Sequence, residues 1–179
     1  MKGIILLANG FEDVEAIATI DVLRRSKIDV DTVTLNKDLF VITSSNLKVL
    51  ANYYIENVNF ENYDFLIIPG GKAVFNIWKN YYKLDQIIEV FIKKGLLVAA
   101  ICAAPMLLNN FLDGYDFTCF KGCQEEINHG NYINNPVVVS KNIITARSMY
   151  YSNDFALEII KYLQSTSQAN LVEKQIKSL

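Results

Sequence analysis

Short runs of consecutive apolar residues alternate along this chain with segments whose apolar positions recur at helical spacing, and that alternation predicts most of its elements. Lys2 to Ala8 and Leu96 to Ile101 are continuous apolar runs of strand length, the pattern of strands buried on both faces of a parallel sheet. Tyr63 to Ile68 is a third such run, ended by Pro69-Gly70-Gly71. Asp29 to Leu35 alternates instead, with Val30, Thr32 and Thr34 set against Asp31, Val33 and Leu35, and also reads as a strand. Between the first strand and this one, Glu12 to Ser26 has helical spacing, so Asn9-Gly10 ends a strand rather than turning a hairpin. Val14, Ile17, Ala18 and Val22 form the helix's inner stripe, with Glu15 at its margin and Asp21 near its centre, while Ile20 and Leu23 fall on the other side. A helix apolar on two faces must cover the second, with another helix of the same domain or with a second subunit.

Leu84 to Lys94 is a further helix, with Ile87, Ile88, Phe91 and Ile92 on one face and Gly95 as its stop. Ala73 to Tyr82 reads as a short helix or irregular segment, and Phe40 to Tyr54 as a β excursion around Ser44-Ser45-Asn46. Asp113-Gly114 turns the chain, Tyr115 to Phe120 predicts a short strand, and Val137 to Ser140 with Asn142 to Ala146 predict a hairpin or consecutive strands. Ser152 or Asn153 is placed to cap a helix running to Leu163, and Gln168 to Ser178 closes the chain as an amphipathic piece. Strands alternating with helices imply an α/β fold, a mainly parallel sheet with helices on both faces. Residues 1–179 read as one domain, without linker, repeat or low-complexity block.

Composition narrows the partners. About half the residues are hydrophobic, and 17 basic against 19 acidic side chains leave a net charge of −2, which gives no electrostatic case for nucleic acid or a membrane surface. Small molecules or proteins are the partners this leaves. The longest apolar run, around Cys102, is too short and too broken by proline to span a bilayer. Met1 to Ala8 gives way at once to Asn9-Gly10-Phe11-Glu12-Asp13, so no signal peptide is expected and the expected location is cytoplasmic. The three cysteines then read as reduced thiols.

Cys102 is the residue to which chemistry attaches. It falls where the strand ending at Ile101 becomes a helix, for which Pro105 suits the first turn. A thiol just before a helix start meets unpaired amide protons and the positive end of the dipole, both of which favour thiolate. The same stretch equally suits a small buried apolar cysteine. Glu15 would lie near the carboxyl end of the first strand, where open α/β sheets assemble their sites. An acid beside an apolar stripe is costly unless paired or protonated, which makes Glu15 the candidate acid, against the ordinary reading of a first-turn Glu complementing the dipole. Gly70 and Gly71 permit positive φ and let amide protons face a ligand, as an oxyanion hole requires. Structural turns use the same pair. Cys119, Cys123 and the single histidine, His129, have no fourth Cys or His in reach and do not make a structural zinc site. Arg147 follows a strand end, where it could hold an anionic group or make a surface ion pair.

Taken together, Gly10-Phe11-Glu12-Asp13-Val14-Glu15, Asp21-Val22-Leu23-Arg24-Arg25, Ile68-Pro69-Gly70-Gly71 and Ala99-Ala100-Ile101-Cys102-Ala103-Ala104-Pro105 resemble the ThiJ/PfpI family, in its Parkinson-disease protein deglycase branch. The likeness runs nearly end to end, through Phe155 to Ile160 and the C-terminal helix. It implies a flavodoxin-like fold, a homodimer built through the Glu12–Ser26 helix, an oxidation-prone nucleophile at Cys102 and a protonated Glu15 hydrogen-bonded to it. It also implies an oxyanion site from Gly70, Gly71 and the amide of Ala103. Phe120 stands where several members carry a histidine near the nucleophile, so no histidine role carries over. Ala103 stands where protease-like members have a histidine, which argues against peptidase activity, and the flanking glycines and downstream His-x-Glu of class I glutamine amidotransferases are missing.

With Glu15 at one strand end and Gly70-Gly71 at another, Cys102 becomes the middle of a three-part site, and the reactive reading prevails. The first expectation is a cofactor-free, metal-free glyoxalase or deglycase. Cys102 thiolate adds to the aldehyde carbon of methylglyoxal or of its early protein adducts, the Gly70, Gly71 and Ala103 amides hold the oxyanion, and Glu15 shuttles the proton. The alternative is an oxidative-stress sensor or redox-regulated chaperone, in which Cys102 becomes a sulfinate held by Glu15 and amides. A family member that only binds partners is the third.

Overall fold

The computed structural model describes all 179 residues. In chain order the elements are β1 (Lys2–Leu7), α1 (Asp13–Arg25), β2 (Asp29–Thr34), β3 (Phe40–Ile42), β4 (Lys48–Leu50), β5 (Tyr53–Tyr54), β6 (Phe65–Ile68), α2 (Lys72–Asn76), α3 (Leu84–Lys93), β7 (Leu97–Ile101), β8 (Asp116–Phe117), β9 (Asn131–Tyr132), β10 (Val137–Ser140), β11 (Ile143–Ala146), α4 (Ser152–Leu163) and α5 (Thr166–Lys177). Seven strands form one sheet in the order β10-β11-β7-β6-β1-β2-β5. Every pair in it is parallel except β10 with β11, a hairpin turned at Lys141 with φ 48°. The apolar runs of β1, β6 and β7 occupy its middle, where both faces are covered, and from Gly3 onward they are buried throughout.

From β1 the chain crosses to β2 on one side and then returns to β6 on the other. That reversal opens a crevice at the carboxyl ends of β1 and β6, the usual ligand position in flavodoxin-like sheets. Helices α1, α4 and α5 pack together over one face, and α3 packs on β6 and β7.

The α1 helix is rotated from the expected phase. Its buried residues are Glu15, Ala16, Thr19, Val22 and Leu23, whereas Val14 and Ile17 are 40% and 44% exposed. Asp21, expected near the inner stripe, is exposed and bonds Arg25 at 2.9 Å. The inner face is made of small residues: Ala16 and Thr19 let α4 approach, and the Thr19 hydroxyl is buried at no polar cost by donating to the Glu15 carbonyl at 2.6 Å. Expected elements differ elsewhere too. The segment after Cys102 is a 3-10 helix, Ala104–Phe111, with Pro105 in its first turn. Only Asp116–Phe117 of the expected 115–120 strand pairs, with β9 rather than with the main sheet. Ser152 opens α4 instead of capping it, and its hydroxyl donates back to the Met149 carbonyl at 2.7 Å.

Candidate functional site

Cys102 is held in a conformation that side-chain-bearing residues rarely adopt. Its φ is +65°, a left-handed value that costs of order 1 kcal/mol or more and persists only where surroundings impose it. Two backbone bonds impose it: the Cys102 N–H donates to the Ala146 carbonyl at the end of β11 (2.8 Å), and the Phe120 N–H donates to the Cys102 carbonyl (2.7 Å). The sulfur is therefore turned out of the β7 line, above the sheet's carboxyl edge, and the residue is partly exposed. The Ala103 and Gly71 amides both lie where they stabilise a negative sulfur.

Glu15 comes to this sulfur from α1 and is completely buried. Its Oε2 accepts the Gly70 N–H at 2.7 Å, and its Oε1 has no hydrogen-bond partner. Gly70 must be glycine here. A Cβ at that position would sit 2.7 Å from Cys102 Cβ and 2.8 Å from Glu15 Oε2, so nucleophile and acid are packed against the same bare backbone. Gly71, at φ 90°, is equally constrained, because a Cβ there would sit 2.5 Å from the Gly10 carbonyl oxygen.

Burial raises the Glu15 carboxyl to about 7, assisted by the nearby Glu12 charge and opposed by the neighbouring Cys102 thiol and the Gly70 amide. Burial also pushes the Cys102 thiol up, as does an ionised Glu15 beside it, against the Ala103 and Gly71 amides. The two groups form one titrating pair. Its first proton leaves near neutrality, and the second is held far above that. A pair holding one proton is the form present from about neutral pH upward.

The structure thus brings Cys102, Glu15, Gly70, Gly71 and Ala103 together. It commits the Gly70 amide to Glu15, leaving Gly71 and Ala103 as the amides that face the sulfur. Phe120 touches the elbow through its backbone, and its side chain is 48% exposed. His129 pairs with Asp113 at 2.7 Å on an exposed loop. Cys119 and Cys123 are buried thiols. Arg147 follows the β11 end beside Cys102, with one guanidinium nitrogen on Asn134 and its buried Nε unpartnered.

One support was not legible in the sequence as part of the site. The β3–β4 hairpin braces the loop that launches α1. Gly10 N–H donates to the Ile42 carbonyl (2.7 Å), Ser44 N–H to the Phe11 carbonyl (2.8 Å), and the Ser45 hydroxyl to Asp13 Oδ1 (2.8 Å). The polar Ser44-Ser45-Asn46 turn was its only signal.

A family model described as the DJ-1/PfpI family matches residues 1–162. The chain is 30% identical over 158 residues to Protein DJ-1 homolog B of Arabidopsis thaliana, covering 87% of this chain and 36% of that longer protein. It is 26% identical over 176 residues to the glutathione-independent glyoxalase DJR-1.2 of Caenorhabditis elegans, covering 97% of this chain and 94% of the relative. Among solved structures, oxidized Toxoplasma gondii DJ-1 superposes with a TM-score of 0.92 at 28% identity, over 98% of this chain and 97% of that one.

Proposed function

The chain belongs to the DJ-1/PfpI family, and on that footing we propose that it is a cysteine-dependent, cofactor-free glyoxalase or deglycase acting on methylglyoxal-type α-oxoaldehydes or their early protein adducts. The observation that carries this reading is the packing of a partly exposed Cys102 and a fully buried Glu15 against the same bare backbone at Gly70, beside two free amides. The glyoxalase activity of the Caenorhabditis elegans relative supports it.

The thiolate adds to the aldehyde carbon of methylglyoxal, and the alkoxide so formed lies on the Gly71 and Ala103 amides. Glu15 gives that oxygen its proton, leaving a hemithioacetal and a carboxylate. The carboxylate then removes the hydrogen on the former aldehyde carbon, producing an enediolate, and returns the proton to the neighbouring carbon. The result is a lactoyl thioester on Cys102. Water hydrolyses it to lactate and restores the thiol, so the net change is addition of one water to one methylglyoxal. Gly70 acts by holding Glu15, because its N–H is spent on Oε2. The test is lactate formation from methylglyoxal by the purified chain without glutathione. Absence of lactate overturns the reading.

A second reading has its own support in the same two amides, which would equally hold the oxygens of a Cys102 sulfinate. Mild peroxide is then expected to add two oxygens to Cys102 and none to the buried Cys119 and Cys123, read by peptide mass; indiscriminate oxidation counts against sensing.

We place a homodimer contact on α1, where Val14 and Ile17 stand exposed on the helix that carries Glu15. Ile17→Asp is expected to convert a dimer to a monomer in sedimentation equilibrium, and a monomeric wild type refutes the assignment. No helix is long and apolar enough to cross a membrane, and the cytoplasm is the location we propose.

A further inference from the structure

Glu12 stands three residues before Glu15, at the position that opens α1, and that spacing sets the two side chains on one face of the first turn. Both residues hold Gly70. The Glu12 N–H donates to the Gly70 carbonyl at 3.2 Å, while the Gly70 N–H donates to Glu15 Oε2 at 2.7 Å. A Cβ on Gly71 would meet the Glu12 nitrogen at 2.6 Å. Glu12 therefore packs directly against the residue whose amide faces the Cys102 sulfur.

The Glu12 side chain is half-buried, and none of the chain's salt bridges includes it. An acid that opens a helix ordinarily serves by capping its free amides, but this one makes no such bond, and Asp13 and Glu15 already put acid in the first turn. Its charged neighbours are those same two acids. Burial and the Asp13 charge raise the Glu12 carboxyl, and the Glu12 charge in turn bears on Glu15. No cation is among the charges felt at either carboxyl. Lys72, the cation that follows Gly71, is exposed and lies toward Gly10. A half-buried charge without a partner is costly, and nothing in the fold of α1 uses this one.

We propose that Glu12 is a specificity-determining residue for the reaction at Cys102: its unpaired charge beside the oxyanion site turns away carbonyl compounds that bring a carboxylate or phosphate and admits uncharged α-oxoaldehydes. The proposal rests on Cys102 being the nucleophile of the proposed function. The Gly71 and Ala103 amides favour the negative charge that develops on the reacting oxygen, and Glu12 opposes charge that the substrate already carries.

Alkylation of Cys102 tests charge selection apart from turnover. Iodoacetamide and iodoacetate both transfer a methylene carbon to the thiolate sulfur with loss of iodide, and only the second is an anion. The ratio of their rates cancels any change in the reactivity of the thiol itself. Rates are read at Cys102 by peptide mass at pH 8, where the Cys102–Glu15 pair holds one proton. The wild type is expected to prefer iodoacetamide more strongly than mercaptoethanol does. Glu12→Gln is expected to lower that preference at least about threefold, the effect of one unit charge on another across roughly 7 Å of water, and Glu12→Asp to keep most of it. Added salt is expected to bring the wild-type ratio toward that of mercaptoethanol. The proposal is overturned if Glu12→Gln keeps the wild-type ratio, or if the wild-type ratio ignores salt, an outcome readable even where the variant fails to fold. A shifted ratio in a chain that forms no lactate would sink the proposed reaction and leave the charge selection standing.

Discussion

Cys102→Ala is expected to lower lactate formation from methylglyoxal at least about a thousandfold while leaving the fold intact. The size of the loss follows from what is removed. Without the sulfur there is no covalent intermediate, and neither the Gly71 and Ala103 amides nor Glu15 has an adduct to act on, so the losses do not add separately but coincide. The fold survives because Cys102 is partly exposed and its deletion opens little cavity. Its left-handed backbone is held by Ala146 and Phe120 through main-chain atoms that alanine retains. Lactate, not methylglyoxal disappearance, is the quantity to measure, because free aldehyde also condenses with lysine and arginine side chains. Cys119→Ala supplies the control. That thiol is buried and pushed up to about 12 by burial and by Cys123, so its variant should turn over at the wild-type rate. Full activity in Cys102→Ala would end the nucleophile assignment, whatever the fate of the family membership.

How much of this was legible beforehand depends on the kind of signal each residue carries. The strands that position the site are short continuous apolar runs, and the flanking glycines and proline limit Leu66 to Ile68 and Val98 to Ile101 to strand length, buried on both faces. The elbow was legible too, since a cysteine between such a strand and a proline-led turn has few conformations available. The phase of α1 was not. Apolar spacing favours Val14 and Ile17, but the packing against α4 prefers the small Ala16 and Thr19, and steric fit between two helices leaves no trace in a hydrophobic stripe. Gly70 shows a different limit. The sequence offers its N–H as an oxyanion donor, and only the approach of Glu15 across 55 residues shows that the bond is already made. The pairing of Asp116–Phe117 with Asn131–Tyr132 is equally long-range and too short to have a period.

Glu15→Gln should separate catalysis from stability, moving them in opposite directions. On the rate side, glutamine keeps the shape and can still accept the Gly70 N–H, but it cannot give up or return a proton. Loss of a positioned acid–base group costs about 10²–10⁴-fold, and that is the expected fall in kcat/KM. The pH profile changes with it. In the wild type kcat/KM should rise through an apparent value of about 7, as the pair sheds its first proton. In the variant the thiol titrates without a partner to take its proton, and burial, the largest influence on it, carries the rising limb to more alkaline pH. On the stability side, the native carboxyl holds its proton to about 7 against an ordinary value of 4.5. The native state therefore binds more protons than the unfolded chain between those values, and wild-type stability falls as pH rises through that window. Below it the ionisation penalty is absent; above it the penalty is complete, at most about 3 kcal/mol. Glutamine carries no such penalty. Urea unfolding should therefore find Glu15→Gln close to wild type at pH 4 and more stable at pH 8. A merely structural Glu15 would give the reverse, a destabilised variant with an unmoved pH profile. The acid is kept where it lowers stability because, on this reading, the reaction uses the proton that burial forces it to hold.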